Sequence, residues 1–233
     1  GVFVLGRFTP GVSKEVFDQL EIDFRDATSL TEDQQWVEIV DYYYTFQGGQ
    51  TRTRVEYDSN SMELHTSHVT KTSIKSIVLT KSESGEGEAC RIEHSSEIPV
   101  ATTPTVCMPT HVRIKQRKTF NDVRDGGVVW VYELSKTWSG NNRSIVEHLQ
   151  HISEPIYEVE CELVDNKCTY INQHTNAYIS DTLCTKAKLL MGQDPQLSDV
   201  GNAVVFTTDN ISKRGRISSS NSSQRLSPCP SLK

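Results

Sequence analysis

Tyr157-Glu158-Val159-Glu160-Cys161-Glu162-Leu163 is the stretch that decides the fold. An extended strand sends successive side chains to opposite faces. Glu158, Glu160 and Glu162 therefore share one face, and Val159, Cys161 and Leu163 share the other. Three carboxylates within roughly 14 Å along one strand repel one another, so their face needs cations or water.

Arg113-Ile114-Lys115-Gln116-Arg117 repeats the pattern with the opposite sign. Arg113, Lys115 and Arg117 lie together, and Val112 and Ile114 point away. Arg91, Glu93, Ser95 and Glu97 form a mixed face opposite Ile92 and Ile98, and Arg52, Arg54 and Glu56 lie opposite Val55 and Tyr57. Glu133 shares its face with Val129 and Val131, which is unusual for a solvated face. Two arrangements satisfy such strands. The charged faces point to water around an apolar core, or they line a polar tunnel whose outer wall is covered by helices and loops. A tunnel with carboxylates on one wall and Arg/Lys on others suits a metal–polyphosphate complex, since carboxylates take hard cations and basic groups take phosphate oxygens.

Outward from these stretches, strand-like runs rich in Val, Ile, Thr and aromatics occupy 36–46, 51–57, 62–70, 73–80, 89–100, 111–120, 128–137 and 155–164. Polar turns such as Gln47-Gly48-Gly49, Asp58-Ser59-Asn60 and Asp125-Gly126-Gly127 separate them. Such a series predicts an antiparallel sandwich or barrel. Helical periodicity is confined to 13–20, with Ser13 as N-cap and Val16, Phe17 and Leu20 as its stripe, and to 174–191. A last short strand is expected at 203–207. The Ser-, Asn- and Pro-rich end, 209–233, reads as a polar, flexible tail, which leaves 1–208 as one domain.

The 233 residues carry 24 Lys and Arg against 30 Asp and Glu, a net charge of −6. This argues against gripping long nucleic acid by its backbone and leaves room for a site that takes only a charged end. No run approaches the length of a membrane helix. The six cysteines lie far apart without a C-x-x-C pair, so zinc is not expected and free thiols in a reducing compartment are. The N-x-S/T matches at Asn142, Asn210 and Asn221 are at chance frequency. No P-loop, G-x-S-x-G or H-E-x-x-H motif occurs, and His65 and His68 read as surface residues.

Read in order, Arg91-Ile92-Glu93-His94-Ser95-Ser96-Glu97-Ile98-Pro99-Val100, RIKQRKTF at 113–120, Trp130-Val131-Tyr132-Glu133-Leu134-Ser135-Lys136 and YEVECEL at 157–163 resemble one family. It is the triphosphate-tunnel RNA 5′-triphosphatases of mRNA capping, found in fungi, protozoan parasites and large DNA viruses, with a protozoan or viral member preferred here. LGRFTPGVSKEVFDQL at 5–20 resembles their first strand leading into a helix, and the likeness covers roughly 1–165. It implies a mainly β (α+β) fold, an eight-stranded antiparallel tunnel with a few flanking helices. It implies that Glu158 and Glu160, with Glu162, hold Mn²⁺ or Mg²⁺. Lys115 and Arg117 resemble the basic pair on the triphosphate, and Arg54, Lys71, Arg91 and Arg113 resemble further phosphate or wall contacts. Glu97 resembles the carboxylate that orients the attacking water, and Glu133 an acidic partner of the basic strand. Lys136 matches by motif but falls on the opposite face from Glu133 by strict alternation, unless a bulge intervenes.

The implied reaction removes the γ-phosphate of nascent mRNA to leave a 5′-diphosphate. The implied partners are the RNA 5′-triphosphate end and a candidate guanylyltransferase, in the nucleus, or in the cytoplasm for a viral protein. Hydrolysis of inorganic tripolyphosphate or nucleoside triphosphates by the same tunnel is the alternative. A non-catalytic β-barrel binding module is the alternative of another class. One departure stands out. The family's first strand carries an E-x-E pair just before an apolar-Gly segment, here Leu5-Gly6, where this chain has Val2 and Val4. A metal held by fewer carboxylates is the expectation.

Overall fold

The computed structural model describes residues 1–5, 7–32, 35–46, 49–58, 63–81, 87–101, 108–124, 127–164, 174–191 and 206–207. Its frame is seven long strands: β4 (Val37–Phe46), β5 (Gly49–Asp58), β6 (Glu63–Thr80), β7 (Gly87–Pro99), β8 (His111–Arg124), β9 (Gly127–Gly140) and β10 (Ile156–Leu163). They pair antiparallel in the order β10-β9-β8-β4-β5-β6-β7, and a hairpin of β1 (Val2–Val4) and β2 (Arg7–Thr9) extends the β7 edge. Two short strands pair outside this path, β3 (Leu30–Glu32) with β8 and β11 (Phe206–Thr207) with β6.

The curled sheet is joined at its two edges by the start of the chain. Three residues after β2, Val12 bridges to Tyr157 of β10, its N–H donating to the Tyr157 carbonyl at 2.8 Å. Gly11 allows this approach. Its φ of +121° is a left-handed conformation that glycine adopts without penalty, and an added Cβ would lie 3.1 Å from Ile156 Cγ2. The expected eight-stranded tunnel is thus met by seven long strands with the N-terminal segment in the eighth place.

The apolar faces point outward and are covered by helices. Helix α1 (Lys14–Asp26), capped by Ser13, seats Phe17, Leu20 and Phe24 against Phe120, Trp130, Tyr132 and Leu134. Val159, Cys161 and Leu163, the apolar half of the deciding strand, pack on the same cluster, as do Ile179 and Leu183 of α3 (Asn176–Leu190). Helix α2 (Arg143–Ile152) covers Val112, Ile114 and Trp138 with Val146. The apolar core thus lies between sheet and helices, which leaves the concave face free to be polar.

Some elements differ from the sequence expectation. Helix α1 runs six residues past Leu20, because Phe24 continues the buried stripe. Residues 62–70 and 73–80, read as two strands, belong to one 18-residue strand from Glu63 with a register shift between Ser73 and Lys75. A bulge absorbs the extra residue without ending the strand. Helix α2 was not anticipated, although Asn142 caps it by accepting the Ile145 N–H at 3.0 Å. The tail at 209–233 lies outside the described residues, as do Cys107, Cys168 and Cys229, while Cys90, Cys161 and Cys184 are free thiols. Among the described residues no helix is long and apolar enough to cross a membrane.

Candidate active site

Register fixes which side chains share the concave face. Arg113, Lys115 and Arg117 of β8 pair with Ser139, Thr137 and Ser135 of β9, and Glu158 and Glu160 of β10 pair with Ser135 and Glu133. Directly opposite residues on an antiparallel pair point to the same side, so all of these line one lumen.

The ion pairs in this wall run on the diagonal. Arg113 holds both oxygens of Glu158 at 2.6 Å, and Thr137 Oγ1 donates to Glu158 at 2.9 Å. Lys115 Nζ lies 3.6 Å from Glu158 and 3.9 Å from Glu160, and Arg117 pairs with Glu133 at 2.8 Å. The Arg113–Glu158, Lys115–Glu160 and Arg117–Glu133 pairs are displaced by two residues for every strand crossed and Lys115–Glu158 by one, the stagger that accompanies curling of a sheet toward a barrel.

Burial and charge set the protonation states. Glu133 and Glu160 face one another across the strands. Burial pushes the Glu133 carboxyl up to about 7, against the pull of Arg117. Burial also opposes the charge on Glu160, but Lys115, Arg117 and Arg113 outweigh it and hold Glu160 below the usual glutamate range. Below about pH 7 Glu133 therefore keeps its proton while Glu160 stays ionised, and the Glu160 side chain is 52% exposed. Lys115 is 4% exposed, and burial lowers its pKa below the ordinary lysine range.

The neighbouring wall supplies a second pair. Arg54 of β5 grips Asp41 of β4 with two hydrogen bonds, 2.8 and 2.9 Å, and the Asp41 side chain is fully buried. Burial opposes the Asp41 charge, and Arg54 overcomes it and lowers the carboxyl pKa. On β7, Glu97 meets Arg52 at 3.3 Å and Lys71 at 4.0 Å. Among the described residues, three buried polar atoms on the lumen face have no hydrogen-bond partner: Arg52 Nε, Arg117 Nε and Ser135 Oγ. Groups of this kind suit a polar ligand that donates and accepts between them.

The structure therefore brings Arg113, Lys115, Arg117, Glu133, Glu158 and Glu160 into one wall, and sets Arg54, Lys71 and Glu97 on the strands that continue it. Of the other expected residues, Lys136 leaves this face, and Arg91 and Glu162 stay on it away from the ion-paired wall. Lys136 stands on the outer face, as alternation requires in the absence of a bulge, with its ammonium 4.5 Å above the Trp36 ring. Arg91 packs over Phe8 at 5.3 Å and meets Glu93 at 3.5 Å, toward the N-terminal hairpin. Glu162 pairs across from Val131 and is exposed. Val2 pairs across from Glu88, and Val2 and Val4 alternate with the residue opposite Phe8, which packs against Ala89. The valines therefore point away from the lumen. Sequence reasoning missed Asp41, Thr137 and Ser135. Asp41 could have been found, since Val37, Ile39, Asp41 and Tyr43 alternate and a buried acid among them needs a basic neighbour.

A cavity of about 380 Å³ opens at one end of the lumen, lined by Pro10, Tyr43, Gln50, His111, Arg113, Thr137, Ser139, Ile156 and Glu158. Among the described residues, no three His, Cys, Asp or Glu side chains form a ready-made metal cage.

No known family matches the sequence. No curated protein matches it either. Solved structures do match the fold. The chain is similar to the Schizosaccharomyces pombe (S. pombe) Pct1 RNA triphosphatase, with a TM-score of 0.54 at 16% identity, covering 82% of this chain and 73% of that one. The S. pombe protein in complex with the Spt5 CTD superposes with a TM-score of 0.51 at 17% identity, with the same coverage, 82% and 73%. The Mimivirus capping enzyme triphosphatase gives 0.52 at 10% identity, covering 78% of this chain and 86% of that one. At these identities the likeness establishes a shared fold.

Proposed function

We propose that this chain hydrolyses the terminal phosphate of RNA 5′-triphosphate ends, releasing phosphate and leaving a 5′-diphosphate. The observation that carries the reading is the lumen itself. Paired carboxyls, Glu133 and Glu160, adjoin Lys115 and Arg117 on a concave face whose apolar side is turned to the helices. The shared fold of structures described as RNA triphosphatases supports it.

In this reading Lys115 and Arg117 hold oxygens of the terminal phosphate, and Arg54 and Arg113 hold the phosphates behind it. Phosphoryl transfer asks mainly for positioning and charge neutralisation, which fixed cations in a narrow lumen provide. Glu97, carried by Arg52 and Lys71 on the continuing wall, takes the proton of the attacking water. Arg117 Nε and Ser135 Oγ gain partners when phosphate oxygens enter.

The donor set fits a hard divalent cation, Mn²⁺ or Mg²⁺. Glu160 and Glu133 would hold it, since Glu133 releases its proton to a cation, and phosphate oxygens and water complete the shell. Such an ion would neutralise charge on the phosphate oxygens. Glu158 is already engaged at both oxygens by Arg113, which makes it an organiser of the basic strand.

The test is phosphate release from triphosphate-ended RNA with analysis of the RNA end. Free phosphate with a 5′-diphosphate product supports the reading, and pyrophosphate with a monophosphate end would contradict it. Inorganic tripolyphosphate offers the same charged terminus to every group named so far. A preference for it over RNA would move the proposal to a tripolyphosphatase of the same fold.

A further inference from the structure

We propose that the cavity lined by Tyr43 and His111 is a nucleoside subsite, so that the lumen receives its substrate with the base at this mouth and the terminal phosphate at the Glu160 end. The inference rests on the proposed triphosphate chemistry and adds what lies beyond the phosphates.

Its basis is the order of side chains along the wall. On β8 the lumen residues run His111, Arg113, Lys115, Arg117, one every roughly 7 Å along an extended strand. The cationic stretch opposes carboxylates at Glu158, Glu160 and Glu133, and it ends at His111, where the chemistry of the lining changes. There Tyr43 and His111 face one another with ring centroids 5.9 Å apart and planes at 45°. Both belong to the 380 Å³ cavity together with Arg113 and Glu158, so the aromatic pair is continuous with the charged lumen. Gln50 and Ser139 add an amide and a hydroxyl to the same lining.

A tripolyphosphate would need none of these groups. A base needs an aromatic face, and polar side chains to meet its edge or the ribose hydroxyls. Burial, followed by Arg113, lowers the His111 pKa, so the ring is neutral near pH 7 and does not add a further cation to the phosphate path. Tyr43 is tied to Arg113, whose charge is sustained by Glu158 and Tyr43 against burial. Tyr43 therefore links the phosphate-binding cation to the rings.

The experiment is calorimetric titration of the full chain with a ribonucleoside triphosphate and, separately, with inorganic tripolyphosphate, without divalent cation. The wild type should bind the nucleoside triphosphate about tenfold more tightly, the scale of one stacked base. Tyr43→Ala should remove that preference, and Tyr43→Trp should keep or increase it, which also controls for damage to the fold. Equal binding of the two ligands by the wild type would overturn the inference. So would an equal loss on both ligands in Tyr43→Ala, or a Trp variant that behaves like Ala. The proposed hydrolysis is read separately. A wild type that prefers the nucleoside ligand but releases no phosphate would refute the reaction and leave the subsite standing.

Discussion

Glu133 of β9 and Glu160 of β10 stand directly across from each other on the lumen face. Burial first, and then repulsion by Glu160, raises the Glu133 carboxyl against the pull of Arg117, so the two carboxyls titrate apart.

A pH dependence follows. The Glu133 carboxyl is raised from 4.5 to about 7 in the folded chain. Between those values the folded state binds more protons than the unfolded one, so stability falls as pH rises through the window. Asp41 and Glu160 are lowered instead, and their contributions are lost only as pH falls below the ordinary carboxylate range. Urea unfolding of the cation-free protein should show a loss on the order of 2 kcal/mol from pH 5 to pH 7.5, and Glu133→Gln should flatten it. Parallel pH profiles for the two proteins would contradict the raised Glu133 carboxyl.

Asp41 and Arg54 form the other buried commitment of the lumen. Asp41→Ala strips Arg54 of both its hydrogen bonds to Asp41, at a site where the Arg54 side chain is 17% exposed. We expect a loss of about 3–5 kcal/mol, because the remaining charge is buried and uncompensated. Thermal unfolding would measure it, and a change below about 1 kcal/mol would mean that water reaches Arg54 freely.

Lys115 and Lys136 separate the two faces of neighbouring strands. Lys115→Ala should reduce phosphate release by about 100-fold, the scale of losing one fixed charge at the reacting group. Lys136→Ala should leave release unchanged and cost about 0.5–1 kcal/mol of stability through the lost contact with Trp36. Abolished turnover in a folded Lys136→Ala protein would place the reaction on the wrong face.

Much of this architecture was legible in two short stretches. At 111–117 and 157–163 the alternation is strict, and period two assigns faces without knowledge of the partners. The same rule put Lys136 opposite Glu133, where the motif alone had put them together. The long β6 strand was not legible, since Thr72-Ser73-Ile74-Lys75 breaks the alternation and only the pairing with β7 reveals a bulge. Helix α2 is short, and Ile145, Val146, Leu149 and Ile152 follow a Gly-Asn-Asn turn that reads as loop. The pairing of Glu158 with Arg113 depends on diagonal stagger, which strand sequences do not encode singly.

The central claim is tested most directly by the initial rate of phosphate release from triphosphate-ended RNA in Mn²⁺, measured side by side for the wild type and Glu160→Gln. The substitution keeps shape and removes the charge that faces the lumen, so the fold should persist while the rate falls by about 100-fold or more. A wild-type rate no greater than that of RNA in buffer, or a Glu160→Gln rate equal to the wild type, would contradict the account.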